Sequence, residues 1–459
     1  MYLAIGHRLA TPRIRENMKQ QGGFILHLDA THDGDAPALM TSMDSLSKMV
    51  LANVKVPSEH ADYIIPFLRK IQSDFGTPIA CVHDMGLGIC KAVADVFPGI
   101  RDFVCHYHFL RDIGKDFLDP SNGNIRNSLR KHSVTSRLRA LVRETRAFLS
   151  KQTDEVPLLA NAIKDIVPPE RAGLMPVAAA YSLALWALQG KKAGNGYGLP
   201  FDRPLLEFAC RLMELSRSLP DLLGQLKKDD EQNYQYLSKL AKIVSDASKD
   251  TVLCQAVEEL QWRSVVFDCL RKAMRIAPVD GKEGLNDEGT FKVMKSIRLG
   301  VEQFRRELDT NIKLYKDPLC RKMAIQIDKY IDKLFADPIE VVTPYGPIII
   351  YPQRTNNILE QFFRSIRRGY RRRSGNNSMS RDLQAMLADT PLVKNLDNHK
   401  YVEMLLDGKA SLEELFAEIA LLPPSKENET EVETDRILPG FRTLIKLKNL
   451  PAQVIRLFA

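Results

Sequence analysis

The chain opens its regular patterning with two glycines and a short apolar run, GGFILHL, which ends in Asp29. Apolar residues at Phe24, Ile25, Leu26 and Leu28 predict a buried strand with a carboxylate at its end. Ala38 to Met43 and Lys48 to Val56 predict two more strands, and the gap from Asp44 to Ser47 suits a hairpin. Glu59 to Phe75 has apolar residues at Tyr63, Ile64, Phe67, Leu68 and Ile71, the spacing of an amphipathic helix, with Gly76 as its C-cap. Thr77 to His83 is a second buried-strand pattern, and it runs into Asp84. A helix over Gly86 to Val96, a strand over Phe103 to Tyr107 and a helix over Phe109 to Phe117 follow. Three adjacent strands followed by alternating helices and strands predict a mixed five-stranded α/β sheet with helices on its faces.

From about Asp119 to Asp337 the pattern becomes helical. Tyr236, Leu237, Leu240, Ile243, Val244 and Ala247 form one apolar stripe, and Leu260, Val266, Phe267 and Leu270 contribute to another. Pro168-Pro169, Gly190 to Gly198 and Pro278 to Asn286 predict loops between helices. Ala172 to Gly190 is uncharged for 19 residues, long enough for a membrane span. Its alanines, with Pro176, Tyr181, Ser182 and Gln189, instead predict a buried helix starting near Pro176. Ile339 to Tyr351 predicts two short strands around Pro344-Tyr345-Gly346, and a helix begins near Asn357. The expected organisation is a basic N-terminal arm or short helix over residues 1–20, a core over 21–118 and 339–376, an all-helical insertion over 119–338, and a C-terminal region over 377–459. Within that last region, Pro423 to Asp435 is polar and acidic and predicts a loop; the final 20 residues turn apolar and are expected to dock back.

Composition narrows this picture little. The 459 residues are 44% hydrophobic and 27% charged, enough to bury a core. A net charge of +8 permits an acidic partner such as nucleic acid. Seven dispersed cysteines without a Cys-x-x-Cys pair fit reduced thiols in the cytoplasm, and residues 1–20 lack the apolar stretch of a signal peptide.

The chemistry is sparser. Asp29 and Asp84 each end a buried strand, and a βαβ arrangement can place both carboxylates at one sheet edge, where they would favour a divalent cation. A strand-ending Asp also serves as a turn or cap residue. Glu360 begins the helix RTNNILEQFFRSIRRGYRRRSG, whose core stripe is Leu359, Phe362, Phe363, Ile366 and Tyr370. Glu360, Arg364, Arg367 and Arg371 share another face, within about 60° at 100° per residue. Arg368, Arg372 and Arg373 bring the total to six arginines in ten residues with no acid among them. Such a row suits a phosphodiester backbone, while Asn357-x-x-Glu360 also has the form of a capping box. Cys105-x-x-His108 has half of a zinc spacing with no second pair nearby. His83 and His106 fall near the same sheet edge.

Asp29 in LHLDAT, Asp84 in CVHDMG, Cys105-x-x-His108 and Glu360 in TNNILEQFFRSIRRGYRRRSG together resemble a DDE transposase with a ribonuclease H-like catalytic core. The similarity is to Mutator-like elements and related bacterial insertion-sequence transposases, which carry a Cys/Asp-x-x-His motif and a large helical insertion before the Glu. It covers roughly residues 20–118 and 340–376. It implies a ribonuclease H-like α/β fold interrupted by an all-α insertion, and metal-dependent cleavage of DNA with strand transfer at transposon ends. Asp29, Asp84 and Glu360 would hold two Mg²⁺ ions, with Mn²⁺ as a substitute. The Arg364, Arg367, Arg368, Arg371, Arg372 and Arg373 row would hold DNA backbone, and Cys105 and His108 would brace the core. The implied partners are transposon ends, target DNA and further copies of the chain on that DNA, in the cytoplasm and with no membrane. Such transposases usually carry an N-terminal domain that reads the ends, yet 28 residues precede Asp29. End recognition is therefore expected elsewhere in the chain, or the copy is truncated. A nuclease without strand transfer and an inactive DNA-binding remnant are the alternatives.

Overall fold

β1 (Ile25–Thr31) is the middle strand of a five-stranded mixed sheet. The other strands are β2 (Ala38–Asp44), β3 (Met49–Val56), β4 (Ala80–His83) and β5 (Arg101–Val104), in the order β3-β2-β1-β4-β5. β2 runs antiparallel to both β1 and β3, and β4 runs parallel to β1 with Leu28 opposite His83. Asp29 and Asp84 are the residues that follow that last pair in each segment. The Asp44 to Ser47 turn forms as expected because the buried Asp44 carboxylate accepts from the amides of Ile25, Leu46 and Ser47. Burial raises the pKa of that carboxyl despite these bonds. β3 is an edge strand, and Asn395 covers it at one point: its Nδ2 donates to the Val50 carbonyl at 2.8 Å and its Oδ1 accepts from the Val50 amide at 2.7 Å.

The computed structural model describes residues 1–459 apart from 153, 166–171, 226–230, 279–290, 377 and 422–459. The chain divides into two units. The first takes Met1–Asp102, Glu340–Ile349 and the described chain from Asn356 onward; the second takes Phe103–Ile339 and Ile350–Thr355. Residues 1–20 do not form a separate arm. They form α1 (Tyr2–Gln20), whose Ala10, Ile14 and Met18 are fully buried at successive turns within the first unit's core. The polar and basic residues around these three lower the mean hydropathy and hide the stripe. His7 on the same helix is buried, with Nε2 donating to the Leu51 carbonyl and Nδ1 accepting from the Tyr401 hydroxyl.

α2 (Ala61–Phe75) and α3 (Leu87–Val96) pack against the same core through Ile64, Phe67, Leu68, Ile71, Ile89, Ala92, Val93 and Val96. Gly88, in the first turn of α3, lies against the segment that leads into α2, where an added Cβ would sit 1.9 Å from the Glu59 carbonyl oxygen. Backbone atoms cannot yield cheaply, so Gly88→Ala is expected to destabilise the first unit by about 1–3 kcal/mol, the usual cost of overpacking. Urea unfolding followed by far-ultraviolet circular dichroism measures this; an unchanged midpoint would show that the backbone at Glu59 yields at no cost.

The second unit is built of helices: α4 (His106–Lys131), α5 (Val134–Leu149), α6 (Val156–Asp165), α7 (Met175–Gln189), α8 (Pro204–Gln225), α9 (Glu231–Ser248), α10 (Thr251–Met274), α11 (Phe291–Thr310), α12 (Ile312–Lys316) and α13 (Pro318–Leu334). α7 is the uncharged stretch and has Pro176 in its first turn, as expected. No helix among the described residues is long and apolar enough to cross a membrane. The predicted Gly190 to Gly198 connection is a short 3-10 turn followed by loop. Pro168-Pro169 and most of Pro278 to Asn286 lie outside the described residues, as do Pro423 to Asp435 and the last 20 residues. Arg354, 2% exposed, donates to the carbonyls of Met274 and Arg275 where α10 ends. A buried cation there complements the negative helix terminus.

β5 starts two residues earlier than expected, and the following helix is longer than Phe109 to Phe117. The chain bends at Cys105, which caps α4, so His106 and Tyr107 are helical rather than extended. The predicted hairpin is present as β6 (Ile339–Thr343) and β7 (Gly346–Ile350). α14 (Asn357–Ser374) buries Leu359, Phe362 and Phe363 with Met43, Val50 and Leu392 in the first unit. α15 (Ser380–Ala385), α16 (His399–Leu406) and α17 (Leu412–Leu421) complete that unit, with Tyr401, Leu405, Leu415 and Ile419 joining the α1 core.

Candidate active site

Asp29 lies near the C-terminal end of β1 and is 6% exposed. Its Oδ1 accepts from the Ala30 amide at 2.8 Å, which fixes one oxygen at the sheet edge. Glu360 is on the first turn of α14. A carboxylate oxygen of Asp29 and one of Glu360 lie within 4.8 Å of each other.

The helix start explains this approach. Asn356 is the N-cap residue of α14, but its side chain does not cap the helix. Its Nδ2 donates to the Leu28 carbonyl at 2.7 Å, and its Oδ1 accepts from His27 Nδ1 at 2.9 Å. Because the Asn356 oxygen is the acceptor, His27 carries its proton on Nδ1. The Glu360 amide donates to the Asn356 carbonyl at 3.0 Å, so the two residues are one turn apart. The docking of Asn356 on β1 therefore sets where Glu360 falls, and the helix's N-cap residue is Asn356, one residue before the Asn357 of the predicted capping box. His27 is fully buried, and burial lowers its pKa to about 4. Removing the amide leaves a buried ring N–H and a buried carbonyl without this partner, at about 1–3 kcal/mol each. Asn356→Ala is thus expected to cost about 2–6 kcal/mol, read by urea denaturation. A loss under about half a kcal/mol would mean the contact positions nothing.

Asp84 is the residue after β4, whose last pair with β1 is Leu28 opposite His83, and its carboxylate does not join Asp29 and Glu360 in a mutually adjacent set. Its Oδ1 turns back to accept from the Gly86 amide at 3.0 Å, just before α3. The turn reading of this residue is the one its side chain adopts here. His83, fully buried, places its ring nitrogens against the Asp84 carbonyl and against Asp102 Oδ1. Cys105 and His108 belong to the second unit, where Cys105 is buried at the N-cap of α4 and His108 is half-buried on its first turn. His106, also in the second unit, is buried with Nε2 on the Leu334 carbonyl and Nδ1 facing Arg354. Burial, and then the Arg354 charge, lower its pKa to about 3.

Arg364, Arg367, Arg368, Arg371, Arg372 and Arg373 are all exposed along α14. Among the described residues none of them forms an ion pair. Arg367 donates to Thr31 Oγ1 at 2.8 Å, tying the row to the end of β1 two residues beyond Asp29. The Arg373 guanidinium lies 4.6 Å from the centre of the Tyr370 ring. A helix with a carboxylate at one end and solvated guanidinium groups along it presents a track for a polyanion that leads toward the acidic pair.

Asp29 and Glu360 offer oxygen atoms from carboxylates, the donor type that hard divalent cations such as Mg²⁺ prefer. Two carboxylates this close repel when both are ionised, and a bound cation would relieve that repulsion. His27 and Asn356 are absent from the sequence expectations. Their signal lay in a buried-strand histidine two residues before the Asp and an Asn four residues before the Glu, which a single chain does not link. In comparisons with known proteins, no family model and no curated protein sequence matches the chain.

Proposed function

We propose that this chain is a metal-dependent DNA transposase with a ribonuclease H-like core, cutting DNA at transposon ends and transferring the cut strand to a target. The observation that carries this reading is the approach of Glu360 to Asp29 across most of the sequence, beside an arginine row that has no acidic partners among the described residues. The element order supports the fold assignment: three antiparallel strands, then helix, strand, helix, strand, with α14 returning to the central strand.

Asp29 and Glu360 would hold Mg²⁺ or Mn²⁺, and Asp84 would complete the set by giving up its bond to Gly86. The bound metal would polarise a phosphoryl oxygen and promote ionisation of the attacking hydroxyl group. The Ala30 amide keeps Asp29 oriented, and the Asn356 dock keeps Glu360 opposite it. The arginine row binds DNA phosphates without reading bases, so it positions a strand while sequence choice falls to other parts of the chain.

The test is a strand-transfer assay with labelled duplexes carrying candidate end sequences, in Mg²⁺ and in Mn²⁺. Joined products support the proposal. Cutting without joining identifies a ribonuclease H-like nuclease instead, and DNA binding with neither identifies a remnant.

A further inference from the structure

We propose that the second unit carries a separate binding site for a phosphate group, between α4 and the loop that leads into α8. A pocket of about 430 Å³ there is lined by Asn122, Arg126, Lys191, Lys192, Gly194 and Gly196, among others. It lies outside the Asp29 and Glu360 site and does not depend on the function proposed for it.

Asn122 and Arg126 are one turn apart on α4 and share a face. Asn122 is 4% exposed, lines the pocket, and makes no side-chain hydrogen bond among the described residues. Its amide is not sealed from solvent, so a phosphate oxygen entering the pocket can accept from its NH₂ group. Arg126 and Lys192 are exposed and form no ion pair among the described residues. Lys191 donates to Thr135 Oγ1 at 3.1 Å and lies 5.5 Å from the centre of the Phe208 ring. Burial and the charge of Arg139 hold its ammonium below the usual lysine range, a strain that a bound anion would relieve.

Asp202 is the one carboxylate in the lining, and its two oxygens are already engaged. They accept from the amides of Asn195 and Gly198, each at 2.8 Å, and so hold the loop in shape. Three cations against one committed carboxylate leave the lining positive. Gly194 and Gly196 have φ of +129° and +88°, a backbone region that favours glycine, and a Cβ at Gly196 would meet nothing within 4 Å. The loop backbone at Gly196 therefore borders open space, which leaves room for a ligand beside the three cations. The volume falls in the range of small-molecule sites, so a phosphate with an attached nucleoside fits. A phosphodiester of a nucleic-acid backbone and a terminal phosphate monoester share the chemistry the pocket would recognise.

Calorimetric titration of the full chain separates these sources. The probes are inorganic phosphate, a single-stranded oligonucleotide with a 5′-phosphate, and the same oligonucleotide with a 5′-hydroxyl. Phosphate is expected to bind the wild-type chain at millimolar concentrations, with binding weakened at least about tenfold in R126A/K192A and in N122A, the loss of a hydrogen bond to a charged group. Arg126 and Lys192 are exposed, so the double variant should keep its far-ultraviolet spectrum and melting temperature. A preference for the 5′-phosphorylated strand that R126A/K192A erases assigns a terminal monoester. Equal binding of both strands, weakened equally by R126A/K192A, assigns the backbone. Absence of phosphate binding to the wild-type chain, or unchanged phosphate binding by a folded R126A/K192A, would overturn the site.

Discussion

Replacing Asp29 by Asn is expected to lower strand cleavage by at least about 10³-fold while leaving the fold intact, the order of loss seen when a charge-stabilising group leaves an active site. The amide keeps the side chain's shape and its oxygen can still accept from the Ala30 amide. What disappears is one negative charge within 4.8 Å of Glu360. Because like charges are separated at the same time, D29N should melt no lower than the wild-type chain. Glu360→Gln should behave alike. If the two carboxylates act as one device, D29N/E360Q will be little worse than either single variant. Cleavage rates on a labelled duplex, with melting temperatures alongside, check all three. Residual activity above about a tenth in D29N would show that the pair is not catalytic.

Acid is expected to destabilise both units well above the pH at which ordinary carboxylates protonate. His7 and His27 in the first unit have pKa values lowered to about 4, and His106 in the second to about 3. Burial is the leading cause in each. These rings are neutral when folded and titrate near 6.5 when unfolded. Between 6.5 and about 4 the unfolded chain therefore binds protons that the folded chain refuses, and stability falls as pH falls. Above 6.5 the penalty is absent. Lowering the pH from 7 to 5 costs about 2 kcal/mol per ring, hence about 4 for the first unit and about 2 for the second. Asp44 in the first unit works the other way, since its raised pKa favours folding as it protonates, but it is one group against two. Asp250 in the second unit has a pKa lowered to about 2, and its contribution is lost only at lower pH. Urea titrations at pH 7 and pH 5 measure the difference. Trp186 and Trp262 both belong to the second unit, so tryptophan fluorescence follows that unit while circular dichroism follows both. His7→Gln should remove about 2 kcal/mol of the first unit's pH dependence; an unaltered dependence would mean His7 is protonated in the fold.

The sequence makes the sheet legible because each strand is short, apolar and bounded by turn residues. β1 and β4 are found with the aspartates near their ends, and the stripe on α14 is found because its period persists over about three turns. That residues 1–20 pack into the core escapes because the three buried residues are diluted by charge. The bend at Cys105 escapes because the residues around it suit strand and helix alike. At the site, the carboxylates are legible as residue types but their orientations are not. The side chain of Asp84 follows a local turn into α3, and the position of Glu360 depends on Asn356 meeting a strand more than three hundred residues earlier. Contacts between such distant residues leave no mark on the periodicity of either segment.

The single amide that covers β3 has a consequence for the protein's synthesis. All five strands of the sheet are made by Val104, whereas Asn395 emerges near the far end of the chain. Until then the Val50 edge offers a free N–H and carbonyl to any extended segment. A ribosome that stalls or terminates within the helical unit would therefore release a sheet whose edge can recruit a neighbouring nascent chain. Quality control must reach such fragments before they pair.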